Sequence, residues 1–341
     1  MALINAASAI IAKARSKYGK RLMPRDFQAM VKCGSVGEVV QYLKSYTHFQ
    51  TDLDKVSTDI HRGNLENILR EKQFESFLSL CKYQTGNSPM TDFLLRRGEV
   101  RELMKFLTLL SIKRPREYIF SLPLYFNQHT DVDLEKLSAI DDYDDLLEAL
   151  SGTPYQKILR ELPPDEIGDY DLAEIEDALE NAIIGMLYEN IGKVKSKKTR
   201  AQLTELIDTL MDCNNYSRII RLKKYYNLSN EAIRSHVLHY GNLSGKRLEK
   251  ILRRDTFEDI YAELRQTSVG KQAQKLDKQG EMAIQGRYER CRHELYFSTN
   301  PEIVLLAYYI LSETELSNVI AVVEGVRYSM EPERILQTLI L

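Results

Sequence analysis

Three stretches of this chain carry one apolar and acidic pattern at nearly equal intervals, and that repetition restricts the fold more than any single motif does. The first stretch is Val36-x-Glu38-Val39-Val40-x-x-Leu43, and it recurs as Tyr143-x-Asp145-Leu146-Leu147-x-x-Leu150 and as Phe257-x-Asp259-Ile260-Tyr261-x-x-Leu264. Each copy opens on an apolar or aromatic residue, sets an acid two positions on, and closes on leucine after an apolar pair. The residue three past that leucine is Tyr46, Thr153 or Thr267. Apolar residues spaced three and four apart line one side of an α-helix, so each copy reads as a helix with one buried face.

Two further landmarks follow in the same order. Leu65-Glu66-x-x-Leu69, Ile175-Glu176-x-x-Leu179 and Gly280-Glu281-x-x-Ile284 each open a long helical segment. Later come the runs that begin Arg101-Glu102-Leu103, Asn214-Asn215-Tyr216 and Ser317-Asn318-Val319. The closing leucines are 107 and 114 residues apart, the glutamates 110 and 105, and the third set 113 and 103. Any amphipathic helix matches one such pattern, but three patterns in one order with one period mark an internal triplication. A period of about 110 residues exceeds the roughly 20–50 of a solenoid repeat. We therefore expect three divergent helical domains, over residues 1–130, 131–250 and 251–341, in a pseudo-threefold arrangement.

Breaks are few, with 16 glycines and 9 prolines in 341 residues. Helix stops are legible at Gly86-Asn87-Ser88-Pro89, at Pro163-Pro164 and around Gly241 to Gly245. Alternating strand-type runs are nearly absent, so the expected class is all-α. The first twenty-five residues hold Lys and Arg but no acid, as a transit peptide does. Their apolar pattern nevertheless runs into Leu22 and Phe27 without a cleavage-like break, which predicts a first helix over residues 2–17. No window approaches the roughly 18 consecutive apolar residues of a membrane span; the most apolar stretch, Ile303 to Leu311, soon meets Glu313 and Glu315. Any membrane association must then come through a partner.

The sequence carries no phosphate-cradling G-x-x-x-x-G-K-[ST] loop. His236 and His239 stand three apart on an expected helix without an evident third metal ligand. Cys33, Cys81, Cys213 and Cys291 are widely spaced and read as reduced thiols. The residues therefore imply no catalytic group, cofactor, metal or small-molecule substrate.

A formal charge of −2 argues against a nucleic-acid binder by overall electrostatics. That total hides an asymmetry: residues 131–180 hold 17 acids against 3 Lys/Arg, and residues 193–254 hold 15 Lys/Arg against 5 acids. The acidic stretch reads as solvated helix faces. Lys193 to Arg200 reads as an exposed connection between helices. Arg218, Arg221, Lys223 and Lys224 cluster on the third landmark of the middle copy and are the candidate partner-binding residues, since matched charge steers and orients docking.

Several runs resemble a known family. They are Ala14-Arg15, Leu22-Met23 and Phe27 near the start, Leu150-Ser-Gly-Thr153-Pro154-Tyr155, Asn215-Tyr-Ser-Arg218, and Glu313-x-Glu315-x-x-Asn318-Val319 before a Gly325 break and a short last helix. Together they are similar to the central-stalk component of V-type and archaeal-type rotary ATPases, known as the C subunit in the prokaryotic enzymes and the d subunit in the eukaryotic ones. The first copy departs from this pattern with Tyr46-Thr47-His48, and the third with Thr267-Ser268-Val269. The resemblance implies a funnel of three helical domains around a hollow. Its wide mouth would sit on the cytoplasmic face of the membrane rotor ring, and its other side would accept the central shaft. Such a protein is non-catalytic and couples ATP hydrolysis or synthesis to H+ or Na+ transport. The alternative is a helical adaptor or scaffold unrelated to rotary ATPases.

Overall fold

The computed structural model describes residues 2–84, 86–165, 168–275 and 282–341. The protein is all-α: 72% of it is helical, and the described residues contain no strand. The chain forms two compact units. Unit 1 joins Met1–Ser88 to Tyr288–Leu341, and unit 2 is Pro89–Arg287.

Unit 1 begins with α1 (Ala2–Tyr18), α2 (Pro24–Met30), α3 (Val36–Tyr46), α4 (Gln50–Leu53) and α5 (Arg62–Cys81). Unit 2 follows with α6 (Pro89–Ser111), a 3-10 helix (Pro115–Ser121), α7 (Leu124–Asn127), α8 (Leu134–Leu137), α9 (Tyr143–Ala149) and α10 (Pro154–Arg160). It continues with α11 (Leu172–Gly192), α12 (Lys197–Lys224), α13 (Asn230–Ser235), α14 (Gly245–Ile251), α15 (Phe257–Arg265) and α16 (Ser268–Lys275). After α17 (Met282–Phe297), α18 (Pro301–Arg327) and α19 (Pro332–Thr338) complete unit 1. The stops expected near residues 86–89, 163–164 and 241–245 fall at helix boundaries, with Pro89 and Gly245 opening α6 and α14, and α1 covers the predicted first helix.

The first landmark is a helix in every copy, α3, α9 or α15, and each starts in the same way. Ser35, Asp142 and Thr256 accept from the N–H of Glu38, Asp145 and Asp259 at 3.2, 2.9 and 3.2 Å. These are N-caps that satisfy a donor the helix cannot pair internally. The end differs by one residue. Thr153 and Thr267 donate to the carbonyls of Leu150 and Leu264 three positions back, at 2.7 and 2.6 Å. In the first copy Thr47 does this, bonding the Leu43 carbonyl at 2.6 Å, while Tyr46 points into solvent. α3 stays helical through Tyr46, so its threonine arrives one step later.

The second landmark supplies core leucines and isoleucines: Leu65, Leu69, Ile175 and Leu179 are all buried. Gly280 and Glu281 of the third copy lie outside the described residues.

The third landmark proves to be a polar anchor on each of the three long helices α6, α12 and α18. Glu102, Asn215 and Asn318 are all buried. Asn215 donates to the carbonyls of Leu238 and Leu243 at 3.0 and 3.1 Å and accepts from the Leu238 N–H at 2.9 Å. Asn318 clasps the chain end likewise, donating to the Ile340 carbonyl at 2.6 Å and accepting from its N–H at 3.0 Å. Glu102 accepts from the Tyr118 hydroxyl at 3.2 Å. One turn earlier each helix carries a carboxylate that accepts a backbone N–H. Glu99 takes that of Asp131 at 2.7 Å, Asp212 that of Leu243 at 2.6 Å, and Glu315 that of Leu22 at 2.5 Å. Positions three apart on a helix share a face, so each pair presents two polar groups on one side of its helix to segments that return there.

In the third case Glu315 holds a segment from the first part of the chain, at Leu22, and Asn318 one from the last part, at Ile340. Accordingly, one hydrophobic cluster of unit 1 joins Leu22, Phe27, Val39, Leu43 and Leu65 to Leu316, Val319, Val323 and Ile335. In unit 2 a second cluster packs Tyr216, Ile219 and Ile220 of α12 against Ile233, Leu248, Ile260, Leu264 and Val269.

Two expectations need correction. Gly325 is no break: it lies inside α18, where a Cβ would come within 2.5 Å of Ile335 Cγ1, so glycine is required for close approach of α19. The helix ends only at Arg327. In addition, α18 as a whole is long and apolar enough to cross a membrane, although its apolar run is interrupted. It is 72% buried over that stretch inside unit 1, as a core helix is.

Replacing Asn215 by Ala leaves buried backbone groups of the 238–243 segment unpaired and should cost about 3 kcal/mol, with Asn318→Ala costing about 2. Denaturant unfolding of the full chain checks both, and an unshifted midpoint for either variant would show that the anchor is dispensable. Glu315→Ala should lower stability by more than Glu315→Gln, which keeps an oxygen for the Leu22 N–H; equal losses would mean that the charge alone matters.

Candidate partner-binding site

The four candidate residues lie on the last two turns of α12. Ser196 caps the start of this helix by accepting from the Thr199 N–H at 3.2 Å. At the far end of its 28 residues Arg221, Lys223 and Lys224 occupy the final turn, where cations offset the negative end of the helix dipole.

The four cations do different work. Arg218, one turn further in, is only 16% exposed and forms ion pairs with Asp177 and Glu180 of α11. Its guanidinium also donates to the His236 carbonyl at 2.8 Å, while His236 Nδ1 lies 2.6 Å from Asp177. Burial pushes the Glu180 carboxyl above its ordinary range, and the Arg218 charge opposes that shift. Arg218 thus fastens α11 to α12 and to the end of α13. Lys223 is also engaged internally: its Nζ donates to Asn230 Oδ1 at 3.0 Å and to the Leu228 carbonyl at 3.3 Å. Asn230 in turn bonds the carbonyls of Leu252 and Arg254 at 2.9 and 2.7 Å. Arg221 and Lys224 are exposed.

Two aromatic residues complete the outer surface. Tyr225 and Tyr226 are both largely solvent-exposed, and Lys224 Nζ sits 5.3 Å from the Tyr225 ring centroid in a cation–π contact. Sequence reasoning overlooked them. The signal was present, since two tyrosines directly follow the basic last turn and precede Asn227, a residue type that tolerates a helix-ending backbone. Asp177 and Glu180, expected among solvated acids, are instead the internal partners of Arg218. His236, weighed as a metal ligand, belongs to the same cluster.

The arrangement presents two exposed cations and two exposed phenol rings at the end of a helix that is itself pinned by an internal ion-pair cluster. Arg and Tyr are residue types enriched where protein partners meet.

Comparison with known proteins gives a consistent result. The C subunit of the A-type ATP synthase of Methanosphaera stadtmanae is 26% identical over 261 residues, covering 76% of this chain and 65% of the relative. The protein of the same description from Pyrococcus furiosus is 23% identical over 330 residues, covering 94% and 78%. That from Methanosarcina mazei is 22% identical over 216 residues, covering 63% and 58%. The chain thus spans less than two thirds of the length of the Methanosphaera and Methanosarcina relatives. The family described as ATP synthase (C/AC39) subunit matches residues 10–338, nearly the whole chain, and the protein belongs to that family.

Proposed function

We propose that this protein is the non-catalytic central-stalk subunit of an archaeal-type or V-type rotary ATPase, a socket between the rotating shaft and the membrane rotor ring. The family match from residue 10 to 338 carries this reading. In it the chain turns over no substrate. It passes torque, so that ATP hydrolysis or synthesis at one end is coupled to H+ or Na+ flow at the other. Its place is the cytoplasmic face of the membrane, as a peripheral part of the complex. The three copies, divided near residues 130 and 250, would surround the hollow that receives the shaft.

The physics of the fold suits such a role. A torque coupler must not deform, and close-packed helical interiors have low compressibility. The polar anchors on α6, α12 and α18 add directional bonds to that packing. Docking would draw on Arg221 and Lys224, whose exposed charges can orient an acidic partner. Arg218 and Lys223 would act indirectly, by holding the end of α12 in place.

Two experiments bear on this. The protein should sediment with membranes and co-purify with ATPase subunits, and chaotropes without detergent should strip it. ATP-driven ion pumping that persists after its deletion would defeat the proposal and leave a helical adaptor as the better reading. Within the site, the double charge reversal Arg221→Glu with Lys224→Glu should weaken binding to the shaft or the ring about tenfold at low salt, with no change in unfolding midpoint. Arg218→Met should instead lower stability by about 2 kcal/mol, because Asp177 and Glu180 lose their shared cation. If the double reversal binds like wild type, these cations have no docking role.

A further inference from the structure

The end of α1 gathers three cations on one side. Lys17, Lys20 and Arg21 stand three and four apart, and the chain keeps turning past Tyr18. The Lys20 N–H bonds the Lys17 carbonyl at 3.0 Å, and the Arg21 N–H bonds that of Tyr18 at 3.1 Å. Cations at the end of a helix are ordinary, since they offset its dipole. Their surroundings here are not. All three line a pocket of about 370 Å³ within unit 1, which α5 and α18 also wall. That size lies within the roughly 300–1,000 Å³ of small-molecule sites. Among the described residues none of the three side chains forms an ion pair, although Lys17 is partly buried. Burial, and then the like charges of Lys13 and Lys20, hold the Lys17 amine below its ordinary value, with Asp52 opposing.

Most acids of the wall are already engaged. Glu75 pairs with Lys72 at 2.9 Å, and Glu315 takes the Leu22 N–H at 2.5 Å with His48 Nε2 at 3.4 Å. Asp52 alone remains against Lys17, Lys20 and Arg21, which leaves two positive charges without a counter-charge. Arg21 is fixed by its Nη1 bond to the Tyr18 carbonyl at 3.2 Å and by lying 4.3 Å from the Tyr18 ring centroid. A guanidinium has five N–H donors, so others stay available. The helices α5 and α18 add neutral donors. Ser76 and Tyr308 share one hydrogen bond at 2.7 Å. Each hydroxyl carries one proton and the bond uses one of the two, so whichever group donates, the other keeps a proton for a ligand. Burial pushes the Tyr308 hydroxyl up to about 12, so it stays protonated near neutral pH.

We propose that this pocket binds a small phosphate-bearing anion through Lys17, Lys20 and Arg21, with the Ser76–Tyr308 hydroxyl pair completing the site. A phosphate group carries roughly 1.5–2 negative charges near neutral pH and presents three acceptor oxygens, so donors from several elements can meet it at once. Lysine meets such a group as a point charge and arginine as a planar fork, and the pocket offers both. Bound there, the anion joins the end of α1 to α5 and α18, and it stabilises unit 1 by mass action. The site lies in unit 1 alone and does not depend on the rotor reading.

Calorimetric titration of the full chain with inorganic pyrophosphate at low salt tests this. Saturable binding is expected, weakened about tenfold or more by Lys17→Gln combined with Arg21→Gln. Lys32→Gln, which removes an exposed cation of unit 1 outside the pocket, should leave it unchanged. Pyrophosphate should raise the unfolding midpoint of wild type and not that of the double variant. Without ligand, Lys17→Gln alone should unfold no earlier than wild type, because the fold gives Lys17 no counter-charge. A lower midpoint overturns the proposal, since the lysine would then serve the fold. Titration with ADP separates the two sources of a phosphate group. Affinity at or below that for pyrophosphate assigns recognition to the phosphates alone, and tighter binding that pyrophosphate displaces adds a contact to the nucleoside; both support the site. No binding of either probe, or equal weakening by Lys32→Gln, overturns it. Citrate bound as tightly as pyrophosphate also overturns it, since the pocket would then take any anion.

Discussion

A carboxylate one turn before a second buried polar residue, facing a backbone N–H from a returning segment, is the interaction on which this protein's organisation depends. Glu99, Asp212 and Glu315 play that part on α6, α12 and α18, followed by Glu102, Asn215 and Asn318. Apolar burial drives the helices together, but it is non-directional and would tolerate other placements of the short elements. A buried acceptor and a buried N–H that fail to meet each cost about 1–3 kcal/mol, which fixes one placement over its neighbours. Neighbouring hydroxyls reinforce the anchors in the first long helix of unit 2. Burial, together with the charges of Glu99 and Glu102, pushes the Tyr155 and Tyr118 hydroxyls well above their usual range, so they remain donors to those carboxylates.

The same device explains why the two chain ends share a core. Glu315 finds its N–H at Leu22, and Asn318 finds its partner at Ile340, so α18 gathers both termini around itself. Leu316, Val319 and Val323 then pack with Phe27, Val39 and Leu43. The apolar character of α18 that resembles a membrane span is the consequence of serving as this hub. A helix surrounded on most sides by its own chain carries little polar surface.

For a protein whose proposed work is to transmit torque, the division of charge at the end of α12 has a clear logic. Arg218 and Lys223 are engaged inside the fold, whereas Arg221 and Lys224 lie at its surface. Charges paired inside the fold are screened little by salt, whereas exposed ones weaken as ionic strength rises. Rigidity and the proposed docking would therefore respond differently to salt.

Much of this was legible in the sequence. Helical periodicity gave the class, and the landmarks at Leu43 and Glu102 and their equivalents located the capped helices α3, α9 and α15 and the anchored helices α6, α12 and α18. Those signals survive because each copy must bury the same face and cap the same helix, which restricts residue type at fixed spacing. The sequence also pointed to the region of Arg218 to Lys224. It could not say which of the four cations faces inward, because that depends on Asp177 and Glu180 some forty residues away and on α11 packing beside α12. Nor could it distinguish Gly325 as a contact from Gly325 as a break, since only the approach of Ile335 decides that. Periodicity and caps are local, set within a helical turn or two, and the chain by itself determined them. Pairings between distant segments, including the capture of the N-terminal Leu22 by Glu315, were decided by tertiary structure, because hydrogen-bond partners are selected by distance in space and not by separation along the chain.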